Sequence, residues 1–186
     1  MKFTKVLLGL LLVCLVFAVS GCEKDGSSGT NNQGKQVTDI ANKQRNSTAD
    51  HMEIKVYYPN NEATKLIAVK KEIKAEGNTK YRGAIEALME EPKDSNLTAI
   101  FPKQVKLLGV TVSGDTAKVD FDKALVEKFN GGSTGEEMLV GAIVNTLTEF
   151  SEIKKVQILI EGKKIESIKG HVDTSQPLAR MDDLLK

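Results

Sequence analysis

From residue 52 onward the sequence predicts an α+β fold, a single βαββαβ-type domain with an extra strand near each end and two helices mainly on one face of a mixed sheet. Three observations point to it. Residues 54–58 and 116–121 alternate apolar and polar positions, as half-buried strands do. Residues 81–89 and 138–150 repeat apolar positions at helical spacing. Residues 155–161 (KVQILIE) carry apolar side chains on both faces, as a central strand does. The chain as a whole has 186 residues, with 26 Lys+Arg against 25 Asp+Glu and two Cys. A net charge of +1 argues against a nucleic-acid binder, whose domain is usually strongly basic. Two cysteines cannot build a disulfide scaffold or a four-thiolate zinc site. His51 and His171 are too far apart in sequence for a local metal motif, so no metal and no cofactor is expected.

Taken in order, the chain opens with Lys2 and Lys5 before an uncharged apolar run from Val6 to Val19. That run is shorter than the about 20 apolar residues of a spanning helix and suits an export signal over residues 1–21. Val19-Ser20-Gly21-Cys22 resembles a bacterial lipobox: an aliphatic residue and two small ones, which let an extended backbone enter a peptidase cleft, before the Cys. The resemblance implies acylation of Cys22 and attachment to the extracytoplasmic face of the cell membrane. Two or three chains at about 0.8 kcal/mol per buried CH₂ anchor stably where one does not. Cys14 lies inside the apolar run and would leave with it. Residues 22–51 then form the lipidated Cys and a linker. The part from 23 to 50 has no Leu, Met or aromatic residue and cannot bury enough apolar surface to offset its ordering entropy. At about 5–6 Å × √n it spans roughly 30 Å.

In the domain, residues 52–186, Ile54, Val56 and Tyr58 alternate with Glu53, Lys55 and Tyr57 until Pro59-Asn60-Asn61 stops the strand. Lys65 to Ile73 is a second extended segment. Thr79 is placed to cap a helix burying Tyr81, Ala84, Ile85, Leu88 and Met89, which Pro92 closes. Val105–Val112 and Thr116–Phe121 form a hairpin across Ser113-Gly114-Asp115. After the break at Asn130-Gly131-Gly132, Ser133 and Glu136 have capping-box spacing, in which the Ser caps and the Glu reaches back. The helix that follows buries Met138, Leu139, Ala142, Ile143, Leu147 and Phe150. A central strand from Lys155 comes next, and Glu161-Gly162-Lys163 turns it towards Ile165 and Ile168.

The segments IKVYYPNNEATKLIAVKKEI, YRGAIEALMEEP, IFPKQVKLLGVTVSGDTAKVDFDKAL, EEMLVGAIVNTLTEFSEIKKVQILIEGKKI and KGHVDTSQPLAR resemble the GerMN domain of sporulation and germination lipoproteins. The likeness covers about residues 53–180 and is most characteristic at Ile143-Val144-Asn145-Thr146-Leu147-Thr148 followed by Val156 to Gly162. It implies a fold similar to the ring-building motifs of secretion and sporulation assemblies, and attachment to an envelope complex through protein partners or self-association. This chain carries one such domain, and its first helix ends in Glu91-Pro92 where the family commonly has Gly-Pro.

Candidate sites are few. His171 and Asp173, two apart, would share a face on a strand and could pair as base and orienting acid. No nucleophile motif such as G-x-S-x-G accompanies them, and Ser175 precedes Gln176-Pro177 in a loop. The favoured reading is a turn in which Asp173, Thr174 or Ser175 bonds its own backbone, so no catalytic residue is assigned. Asn145 beside the apolar stripe is expected to bond across to a strand or loop, since polar groups near a core need partners. Gly114 and Gly131-Gly132 read as turns, and the paired lysines as solvated faces. If the first strand alternates, one of Tyr57 and Tyr58 points away from the helices, where Tyr is favoured at interfaces. A partner surface is therefore expected around Tyr57, Lys118 and Asp120. The leading functional expectation is a non-enzymatic interaction module. A cell-wall or small-ligand binder is the alternative, with few aromatics to build a platform, and an envelope hydrolase comes third.

Overall fold

The computed structural model describes residues 51–74 and 76–186. The expectations for the signal segment, Cys22 and the linker to residue 50 lie outside these residues; His51, expected to end the linker, opens the first strand.

The alternation after residue 52 produces β1 (His51–Pro59), which folds back on β2 (Leu66–Lys74) with His51 opposite Lys74 and Pro59 opposite Leu66. The Asn60 side-chain oxygen closes their turn, accepting the backbone N–H of Thr64 at 2.8 Å and of Lys65 at 3.0 Å. Helix α1 (Thr79–Met89) buries Tyr81, Ala84, Ile85, Ala87 and Leu88. Thr79 is its first residue and not its cap; the hydroxyl donates back to the Glu76 carbonyl. A second hairpin joins β3 (Leu107–Ser113) to β4 (Thr116–Phe121) through Gly114, whose φ of 61° suits a residue without a Cβ. A short α2 (Ala124–Lys128) was not expected; five residues are too few to display a helical period, and only Leu125 is buried. Next come α3 (Gly132–Leu147), β5 (Lys155–Ile160), β6 (Lys163–Lys164), β7 (Leu178–Ala179) and a 3-10 turn at Asp182–Leu184.

The strands divide into two sheets. β1 and β2 form a sheet of their own, while the second runs β3-β4-β5-β6, with β7 also on β5. The β4–β5 pair is parallel and the other pairs are antiparallel, so the second sheet is mixed and β5 is central in it. Ala117, Val119 and Phe121 lie beside Val156, Ile158 and Ile160 and form its apolar face. Helix α3 packs on β1, β2 and β5, and α1 on β1, β2 and β3. The helices thus form the middle of three layers, with the hairpin on one side and the mixed sheet on the other. Every residue of α3 from Met138 to Leu147 is buried, so its sequence is apolar nearly all round and not along one stripe. Gly141 lets Leu66 and Leu184 approach the helix backbone, because a Cβ there would meet both side chains.

The expected capping box does not form: α3 has no side-chain cap, and Glu136 reaches away from its own helix end.

Candidate functional site

The structure separates the three residues expected to share a surface. Tyr57 is only 4% exposed, so its placement outside the core is corrected. The strand does alternate, with Glu53 and Lys55 exposed on the face opposite Val56 and Tyr58, but at Tyr57 that face is covered. Lys118 is exposed and Asp120 half-buried, both on the face of the mixed sheet that points away from the helices. Asp120 Oδ1 accepts the N–H of Gly162 at 2.9 Å, which ties the β5–β6 turn to β4.

Tyr57 instead belongs to a polar knot that joins three parts of the domain. Its hydroxyl donates to Glu149 Oε1 at 2.6 Å and accepts from Arg180 Nη2 at 2.8 Å. Arg180 also donates to Glu149 Oε1, the Thr148 hydroxyl, the Asn145 carbonyl and Asp182. Burial pushes the Tyr57 phenol above its ordinary value, and its hydrogen bond to Glu149 adds to this. Burial alone would raise Glu149, but hydrogen bonds from Tyr57 and Arg180, with the charges of Arg180 and Lys55, hold it below the usual carboxylate range. Below the knot, Asn145 bonds a loop as expected. Its Nδ2 donates to the Met181 carbonyl at 3.0 Å and its Oδ1 accepts the Met181 N–H at 2.8 Å. Thr146 Oγ1 accepts the N–H of Tyr57 at 3.3 Å. On the inner face of β1, burial first and the charge of Glu90 second push the Tyr58 phenol up to about 12, and its hydroxyl bonds the carbonyls of Ala87 and Glu90.

The second polar feature is a loop between β6 and β7. Thr174 closes it, donating its N–H to the Glu166 carbonyl and its hydroxyl to the Ile165 carbonyl. Glu136, fully buried, pins the loop from inside: Oε1 accepts the N–H groups of Ile168 (2.9 Å) and Lys169 (3.0 Å), and Oε2 that of His171 (3.0 Å). Gln157 of β5 adds a bond from Nε2 to the Thr174 carbonyl at 2.7 Å. His171 and Asp173 lie in this loop and not on a strand. Asp173 Oδ1 accepts the N–H of Ser175 at 2.9 Å, the self-bonding turn expected from sequence. The two line an open, polar hollow of about 570 Å³ with Glu166, Ser167 and Ser175. Among the described residues, no group of three or more His, Cys, Asp or Glu is placed to hold a metal ion. The buried carboxylates are committed to backbone N–H groups or to Arg180, which suits fixed structure and not proton transfer.

Sequence reasoning missed Glu136 as a loop anchor and the pairing of Glu149 with Arg180. Glu136 stands beside Glu137 in the polar first turns of α3 and Glu149 lies just past its end, so neither carried a local signal of its partners.

Residues 55–166 match the Germane family, described as sporulation and spore germination. The chain belongs to this family. Among solved structures, it is similar to the tandem GerMN domains of the sporulation protein GerM from Bacillus subtilis: 22% identity, TM-score 0.57, covering 83% of this chain and 50% of that one. The first GerMN domain of that protein aligns at 20% identity and TM-score 0.56 over 69% of this chain and 98% of its own length. A Clostridium perfringens protein described as a candidate lipoprotein aligns at 25% identity and TM-score 0.50, over 72% and 90% of the two chains. No curated protein matches by sequence. The knot residues Asn145 and Thr146 lie within the matched stretch, and their side chains bond Met181 and the backbone of Tyr57.

Proposed function

We propose that this protein is a lipid-anchored lipoprotein of the extracytoplasmic membrane face, acylated at Cys22, whose single GerMN domain is a non-catalytic interaction module in an envelope or sporulation-associated assembly. The observation that carries the reading is how the polar side chains are used. Tyr57, Glu136, Asn145, Glu149 and Arg180 are all spent on holding loops and termini in place. That leaves a rigid scaffold whose free surface is the outward face of the mixed sheet at β3 and β4, since Gln157 on the same face of β5 is buried under the loop at Thr174. Kinship with GerM and with a candidate lipoprotein supports the setting. The partner surface is the outward face around Leu108, Thr111, Lys118 and Asp120. Leu108, 48% exposed, is the one large hydrophobic side chain that stands open among the described residues.

The test is a crosslinking pull-down from host membranes, comparing the wild-type chain with Cys22→Ala and with a Thr111→Lys, Lys118→Glu double variant. Wild type recovers a defined set of proteins, and each variant loses it. Recovery of wall fragments alone, or the same proteins from all three chains, would overturn the reading.

A further inference from the structure

The domain has two open strand edges, and their chemistry differs. β2 pairs with β1 on one side; on its other side the only strand-type pairing among the described residues is a bridge from Leu66 to Leu185. It carries Lys70, Lys71, Glu72 and Lys74, the kind of charge that blocks edge-to-edge pairing. β3 pairs only with β4 among the described residues, and its sequence, LLGVTVS, has no charged residue in a chain that is 27% charged. At its start the edge is closed. A register shift falls between Leu107 and Gly109, and Arg82 of α1 donates to the carbonyls of Leu107 and Leu108. The free stretch is therefore Gly109–Ser113, centred on Thr111.

We propose that this edge pairs antiparallel with the same edge of a second copy of the chain, across a twofold axis at Thr111. The occupant follows from the residues. Centred there, Thr111 faces Thr111 of the second copy, Val110 faces Val112, and Gly109 faces Ser113. Threonine pairs and β-branched pairs are favourable cross-strand neighbours, and no like charges meet. The same operation on β2 sets Lys71 against Lys71, or Lys70 against Lys71, which is unfavourable. Thr111 and Ser113 are exposed, and a Cβ at Gly109 would meet nothing within 4 Å, so the approach is open. Joining the two sheets this way yields one continuous sheet through both copies. The contact lies below the about 1,200–2,000 Å² of a stable interface, so it forms where copies are concentrated, as on a membrane. It rests on the reading of the domain as an interaction module and names one of its partners.

The experiment is disulfide trapping of the full chain in membranes of a producing bacterium, oxidised with copper–phenanthroline, with the unsubstituted chain as blank. Facing residues of antiparallel strands lie about 4.5–5.5 Å apart at Cα, inside the disulfide range. Thr111→Cys gives a linked dimer at least about tenfold above the blank, while Lys118→Cys and Lys70→Cys stay at the blank. Gly109→Cys and Ser113→Cys, produced together, give a linked heterodimer that neither gives alone; this second pair keeps the test decisive if Thr111→Cys folds poorly. Yields at 111 equal to those at 118 or 70, or no Gly109–Ser113 product, would overturn the pairing. If the pairing fails while the pull-down above still recovers its proteins, the interaction module stands and only this edge contact falls.

Discussion

Replacing Glu136 by Ala removes one carboxylate and strands three backbone donors. The Ile168 N–H is buried with it, and those of Lys169 and His171 are partly buried. A buried donor left unpaired costs about 1–3 kcal/mol, and the two partly buried donors, which water can reach, lose about 0.5–1.5 kcal/mol each. The expected destabilisation is therefore about 2–6 kcal/mol, at the high end for a point substitution. Glu136→Gln separates charge from shape. Its oxygen can still serve Ile168 and Lys169, but the amide NH₂ then faces the His171 N–H, donor against donor, so a loss of about 1–3 kcal/mol remains. Urea unfolding gives the global value, and amide hydrogen exchange at 168, 169 and 171 gives the local one. Both variants should lose protection at these three amides before the rest of the domain does. The opposing argument is that burying a carboxylate costs more than its bonds return. If Glu136→Gln is as stable as wild type or more so, with the three amides still protected, the anchor reading is wrong.

Other outcomes follow from the same structure. Asn145→Asp keeps the acceptor for the Met181 N–H but loses the donor to the Met181 carbonyl, so it should cost about 1–3 kcal/mol in urea unfolding despite its near-identical shape. Arg180→Met should leave β3–β6 intact while exposing residues 180–186 to limited proteolysis, since four side-chain bonds from Arg180, to Asn145, Thr148, Tyr57 and Glu149, hold that segment to the rest of the domain. Hydrogen bonds from Lys80, from its own backbone and from Tyr81 hold Glu152 at about 2, and Glu149 is also lowered, both from an ordinary 4.5. A carboxyl that titrates lower in the folded state adds stability above its unfolded value and loses it as pH falls. The urea midpoint should thus drop between about pH 4.5 and 2, and Arg180→Met should flatten part of that slope. Glu161 is a non-glycine residue with φ of 51° in the turn to β6, so Glu161→Asn should raise stability by about 0.5–1 kcal/mol, read from the thermal midpoint.

Much of the fold was legible because periodicity reports which face of an element is covered. The alternation at Ala117, Val119 and Phe121 and the two-sided apolar run of β5 placed those strands correctly, down to the centre of the sheet. Periodicity does not report which sheet a strand joins, so the separation of β1–β2 from the mixed sheet could not be read. The same limit explains Tyr57. Its alternation is real, but the side chain covering it, Arg180, lies 123 positions away, a separation that no local pattern encodes. Glu136 shows the converse: a capping-box spacing was present, yet the carboxylate gained more from three loop donors than from one at its own helix end. Asn145 was read correctly because a buried amide must find a partner, even where the partner itself is not evident.

The middle position of α3 has a consequence for the order in which the domain can assemble. A chain that emerges N-terminus first, from a ribosome or through a membrane pore, delivers β1, β2, α1 and the β3–β4 hairpin before residues 132–147 arrive. Until then Ile54, Val56 and Leu66 lack the surface they are buried against, and the parallel β4–β5 pair cannot close. Loop-closure entropy must be met before such long-range contacts return anything, which makes acquisition late and slow. Only when α3 packs on β1, β2 and β5 are the contacts that join the two sheets complete.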